Sequence, residues 1–115
     1  MQRSTSAFPE YNPFFVDKEW LTEIYSDKEL LEGDIEFLLH LDIILYNQRE
    51  LPKVSLGNNI NAALEYIVNE MPLNDKGFDA IDNICSYQKN YAQLEIIVAE
   101  LQLGLYSLLG KINYD

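Results

Sequence analysis

DIEFLLHLDIILYNQR, Asp34 to Arg49, is the stretch on which the fold turns. Gly33 and Pro52 bound it, and apolar residues occupy most of its circumference when it is wound at 3.6 residues per turn. A helix apolar on nearly all sides is sheathed by other helices, so this segment is expected to be the central apolar helix of a bundle. Glu36, His40, Ile43 and Asn47 form its most polar strip. Asp42 falls among Ile35, Leu38, Leu39, Leu45 and Tyr46 on the wheel. A buried carboxylate costs several kcal/mol unless it is paired, so Asp42 is expected to meet a tyrosine hydroxyl, a backbone amide or a basic side chain.

Towards the N-terminus, Ser26 and Glu29 have capping-box spacing and start a turn through Leu30 and Leu31. Gly33 is expected to close that turn, with Asp34 capping the central helix. Asp17 is the expected N-cap of a short helix over Lys18 to Tyr25. Leu21, Ile24 and Tyr25 form its inner face, Glu19, Glu23 and Asp27 project outward, and Trp20 stands on the border. Residues 1–16 carry Pro9 and Pro13, which forbid a helix there. Their aromatics read as an irregular arm on the domain, with Phe14 and Phe15 plugging the core. Phe8 and Tyr11 fit either core or contact surface.

Towards the C-terminus, Leu56, Ile60, Ala63, Leu64, Ile67, Val68 and Met71 predict a helix over Asn58 to Met71, ended by Pro72 and LNDKG. Phe78 to Gly110 would make a single rod of about 48 Å at 1.5 Å per residue. Its apolar phase opposes that. Ile81, Ile84, Cys85 and Ala92 share one face, and Leu94, Ile97, Leu101, Leu105 and Leu108 lie nearly opposite. A break is therefore expected between Ser86 and Tyr91, with Gly110 ending the last helix. The reading is all-α: one domain over 1–115, a compact bundle of about five helices around a central apolar helix, with an irregular N-terminal arm at 1–16.

Composition narrows the function. A hydrophobic content of 48% excludes a disordered acidic tail. A net charge of -11 repels phosphate backbones and anionic membranes and attracts basic proteins, so neither nucleic acid nor a membrane is an expected direct partner. Cys85 is the only cysteine, which excludes an intrachain disulfide and fits a reducing, cytoplasmic setting. The first residues, MQRSTSAFPE, lack the apolar core of a signal peptide. Cys85 with His40 is the only thiol–imidazole pair available for nucleophilic chemistry, and Cys85 reads as a packing residue on an apolar stripe. Glu36 and His40 have ligand spacing but lack the partners that a di-iron bundle needs. Zinc, haem and iron–sulfur ligand sets, EF-hand loops and phosphate-cradling glycine motifs do not occur in the sequence. No enzyme activity, metal or cofactor is expected.

What is left is charge combined with aromatic surface. From Glu10 to Glu36 there are nine acids against Lys18 and Lys28 alone. Trp20, Tyr11 and Tyr25 lie among them, and such residues anchor interfaces that charge steers. Asp75, Asp79 and Asp82 form a second acidic set at the head of the fourth helix. The expected partner-binding residues are Tyr11, Glu19, Trp20, Glu23, Asp27, Glu29, Asp79 and Asp82.

This profile, with stretches such as EWLTEIYSDKELLEGD, resembles bacterial immunity proteins that neutralise nuclease toxins of contact-dependent growth inhibition and colicin systems. The resemblance implies a cognate nuclease toxin (an RNase, tRNase or DNase) whose basic cleft the acidic surface covers. Two other classes share part of the profile. One is a phage-encoded acidic inhibitor of a nucleic-acid enzyme, such as an anti-restriction or anti-CRISPR protein. The other is a structural or adaptor helical interaction domain whose acidity gives only solubility. The adjacent gene separates the first two.

Overall fold

The computed structural model describes residues 14–48, 58–87 and 91–114. They form an all-α bundle of five helices: α1 Lys18–Ile24, α2 Lys28–Gln48, α3 Asn58–Glu70, α4 Asp75–Tyr87 and α5 Tyr91–Tyr114. α2 and α5 share the largest interface, α4 also packs on α5, and α3 meets α4. Leu31, Leu38 and Leu45 from α2, Ile60, Leu64 and Ile67 from α3, Ile81 and Ile84 from α4, and Leu94, Ile97, Leu101 and Leu105 from α5 fill one continuous core. The expected break after Ser86 is present, and all five residues of the second stripe, Leu94 to Leu108, are buried.

The central helix is longer than its sequence boundaries suggested. Gly33 does not close a turn, and α2 runs through it. An added Cβ there would meet nothing within 4 Å, so this glycine neither relieves a clash nor breaks the helix. The cap lies further upstream and is Asp27 rather than Ser26. Asp27 Oδ1 accepts from the Glu29 amide at 3.0 Å, and its carbonyl accepts the Leu31 amide at 3.1 Å. α2 is also not sheathed all round: Leu39, Ile43 and Tyr46 face outward. Asp42 is exposed, not buried. The buried carboxylate is Asp34, which lies inside the helix and is 4% exposed.

Other boundaries shift for local reasons. α4 begins at Asp75 because Asn74 caps it: the Asn74 side-chain oxygen accepts the Gly77 amide at 2.9 Å, and its carbonyl accepts the Phe78 amide at 3.0 Å. α5 continues past Gly110 to Tyr114. Cys85 is exposed on α4 rather than packed, and Ala92 likewise faces outward.

Candidate partner-binding surface

α1 has only seven residues, and its ends decide whether it forms at all. Asp17 supplies the N-cap, its Oδ1 accepting the Glu19 and Trp20 amides at 3.1 Å each. Thr22 Oγ1 donates to the Glu19 carbonyl at 2.9 Å. Leu21 and Tyr25 turn inward and are buried, which leaves Glu19, Trp20 and Glu23 on the outer side. Glu19 and Glu23 are four residues apart and Trp20 and Glu23 three apart, so the Glu23 side chain neighbours both of the others. Trp20 is 41% exposed. An indole held half out of the core between two carboxylates is the chemistry expected of an interface anchor.

The helix is fixed in direction by a buried polar junction. Tyr25, at the end of α1, donates its hydroxyl to Asp34 Oδ2 at 2.6 Å. Tyr66, from α3, donates to Asp34 Oδ1 at 2.5 Å. One carboxylate inside α2 thereby ties three helices together with both oxygens occupied. The Tyr66 ring also packs on Phe37 with centroids 4.8 Å apart. Burial raises the pKa of Tyr25 well above the ordinary tyrosine value, and the hydrogen bond to Asp34 raises it further. The same causes, in the same order, raise Tyr66. Both phenols therefore stay protonated as donors across the physiological range.

A strap before α1 holds its other end. Val16 makes an antiparallel bridge with Leu73, and the Asp17 amide donates to the Pro72 carbonyl at 2.8 Å. The Phe14 and Phe15 amides donate to Glu100 Oε1 on α5 at 2.8 and 2.7 Å. Asn74 closes the junction: its amide donates to the Phe15 carbonyl at 3.0 Å and its Nδ2 to the Phe14 carbonyl at 2.9 Å. Gly77 is needed there, since an added Cβ would stand 2.6 Å from the Phe15 carbonyl oxygen. Only Phe15 plugs the core. Phe14 is 53% exposed, with Lys76 Nζ 4.3 Å from its ring centroid. The strap thus ties the segment that leads into α1 to the segment that leads into α4.

The expected contact residues divide accordingly. Glu19, Trp20 and Glu23 share the outer side of α1, and Asp27 and Glu29 are exposed at the junction into α2. The Asp27 carboxylate also serves as the α2 cap, so one residue has both a structural and a surface role. Asp79 and Asp82 are exposed further along α4, beyond the turn that the strap ties to α1. Tyr11 lies outside the described residues. Sequence reasoning missed Asp34, Asn74 and Glu100, which position this surface without belonging to it. The available signal for Asp34 was its phase: it lies three residues after Leu31 and four before Leu38, on the buried stripe.

Comparison with protein-family models, with curated proteins and with solved structures finds no match to this chain.

Proposed function

We propose that this chain is an immunity protein that binds and neutralises a basic nuclease toxin through the outer side of α1 and the adjoining start of α2. The observation that carries this reading is Trp20, half exposed between Glu19 and Glu23 on a short helix pinned at both ends. Rigid presentation lowers the entropy lost on binding, and an exposed tryptophan on an acidic helix gives both anchor and steering. The excess of acids over bases, -11 overall, favours a partner whose own cleft is lined with lysine and arginine for phosphate. In this mechanism the carboxylates of Glu19, Glu23, Asp27 and Glu29 pair with those cations. The toxin's cleft is then denied to nucleic acid, and the chain itself catalyses nothing.

The test is capture of the partner from the native cell at low salt, followed by an assay of RNA and DNA cleavage by the captured protein with and without added chain. Cleavage suppressed at stoichiometric ratio is the expected result. Trp20→Ala should weaken binding about 30-fold, mainly through faster dissociation. Glu23→Lys should slow association and flatten its salt dependence. A captured basic nuclease whose cleavage continues at saturating chain would rule the reading out.

A further inference from the structure

Nine large apolar side chains are exposed among the described residues, and seven of them lie on α2 and α5; Leu30 stands at the start of α2, and the other six form two stripes. They are Leu39, Ile43 and Tyr46 on α2 and Ile96, Leu103 and Tyr106 on α5, each between 42% and 60% exposed. On α5 the outward residues Ala92, Ile96, Ala99, Leu103 and Tyr106 follow a strict four–three spacing with no polar residue among them. That is the period of a helix seam that meets another helix. Leu39, Ile43 and Tyr46 repeat the same spacing on α2. α2 and α5 pack on one another, and Gln102 Nε2 donates to the Leu38 carbonyl at 3.3 Å, one residue before Leu103 and one before Leu39. Among the described residues, α5 therefore buries one face in the core and leaves a second apolar stripe uncovered.

Charge indicates what covers it. From Leu38 to Gln48 and along α5, Asp42, Glu95 and Glu100 against Lys111 leave -2, and the remaining -9 lies on the rest of the chain. Glu100 is moreover turned to the strap, where it accepts the Phe14 and Phe15 amides. Asp42 is exposed and Glu95 half-buried, and the exposed Glu36, one turn before Leu39, borders the region. A basic partner would find almost nothing to pair with here. A second copy of this chain, by contrast, repelled by every other surface, can approach on this side with little like charge opposed. Half-exposed side chains of this number present on the order of 500 Å² of apolar surface, at the upper end of what a monomer carries and enough for the centre of a dimer interface of about 800 Å² per partner.

We propose that the α2–α5 face is the interface of a symmetric homodimer, in which the Ile96–Leu103–Tyr106 stripe of one copy packs against the same face of the other. The interface is isologous, so each residue contributes twice. It leaves the α1 surface of each copy outward, and it does not depend on the function proposed above. Because apolar contact holds the dimer while net charge opposes it, added salt strengthens the association. Docking of a basic protein on the α1 surface has the opposite salt dependence.

The experiment is sedimentation equilibrium of the full chain from about 1 to 200 µM, at about 0.05 and 0.5 M NaCl. The expected result is a species of twice the 13.3 kDa chain mass, with dissociation at least about threefold tighter at the higher salt. Leu103→Glu and Ile43→Glu, both at exposed positions, should each weaken the dimer at least about 30-fold while leaving the helical circular dichroism intact, because each places two new carboxylates in the interface. Glu19→Gln should leave it unchanged or slightly tighter. A monomer at every concentration overturns the proposal, as does a dimer loosened by salt or indifferent to both substitutions. The first of those outcomes would assign the face to a different partner.

Discussion

The α1 end of the molecule and the α2–α5 face are built from opposite materials. At the α1 end, a seven-residue helix and a strap add to the burial of Phe15, Val16, Leu21 and Tyr25 a dense set of polar ties: the Asp17 cap, the Val16–Leu73 bridge, Glu100 on two backbone amides, and Asp34 on two tyrosines. Its surface is acidic with an exposed indole. The α2–α5 pair is held by interlocking leucines and isoleucines, and its outer surface carries the two apolar stripes. Directional bonds fix a short element where area burial alone could not. The difference teaches that a small chain can dedicate its burial to long helices and use a few saturated polar junctions to aim a binding helix.

That contrast can be broken from the polar side first. Asp34→Ala removes the acceptor of two hydroxyls at once, one of them fully buried. It should lower the unfolding free energy by about 3 kcal/mol and expose α1 amides to hydrogen exchange ahead of α5. Equal loss of protection in α1 and α5 would show that the two regions are not separately held. Gly77→Ala drives a methyl into the Phe15 carbonyl, so the strap must shift, and a loss of about 2 kcal/mol in chemical denaturation is expected.

Alkaline pH probes the same junction with no substitution. The folded phenols bind their protons more tightly than the unfolded ones, so the native state holds more protons once pH passes the unfolded value of about 10. The stability they contribute is therefore complete below that pH and falls as pH rises above it. For the buried Tyr25 the slope is up to about 1.4 kcal/mol per pH unit. Tyr25→Phe should remove this share of the slope, and a parental curve already flat above that pH would count against the junction. The smallest effect lies on the apolar helix and has the opposite sign. Gly33→Ala, in open space inside α2, should raise stability by about 1 kcal/mol, measured as a shift in denaturation midpoint.

The sequence was legible where periodicity ruled. The α3 stripe from Ile60 to Met71, the division between α4 and α5, and the Asp17 cap stand in the structure where their spacing put them, while Leu56 lies outside the described residues and Cys85 and Ala92 left the buried face expected for them. It misled where one residue type has two physical roles. Gly33 has the signature of a helix end but is a helix interior with nothing beside it, while Gly77, in the same sequence, answers a real steric demand from a segment 62 residues away. Asp34 looked like a cap because it follows that glycine, and Asp42 looked buried because its wheel neighbours are apolar. The expected motif of a carboxylate satisfied by tyrosine hydroxyls exists, two turns upstream of the residue named for it. Which apolar side of α2 is covered depends on where α3 and α5 pack, and this tertiary fact is not contained in a wheel. The exposed stripe was invisible for the same reason.

What separates the two faces most cleanly is a pair of affinities for one captured basic partner, measured by surface plasmon resonance with Trp20→Ala and with Leu103→Glu. If the α1 surface is the one that grips the partner, Trp20→Ala weakens binding about 30-fold and Leu103→Glu leaves it within about twofold. The reverse order, with Leu103→Glu abolishing binding and Trp20→Ala harmless, would contradict it.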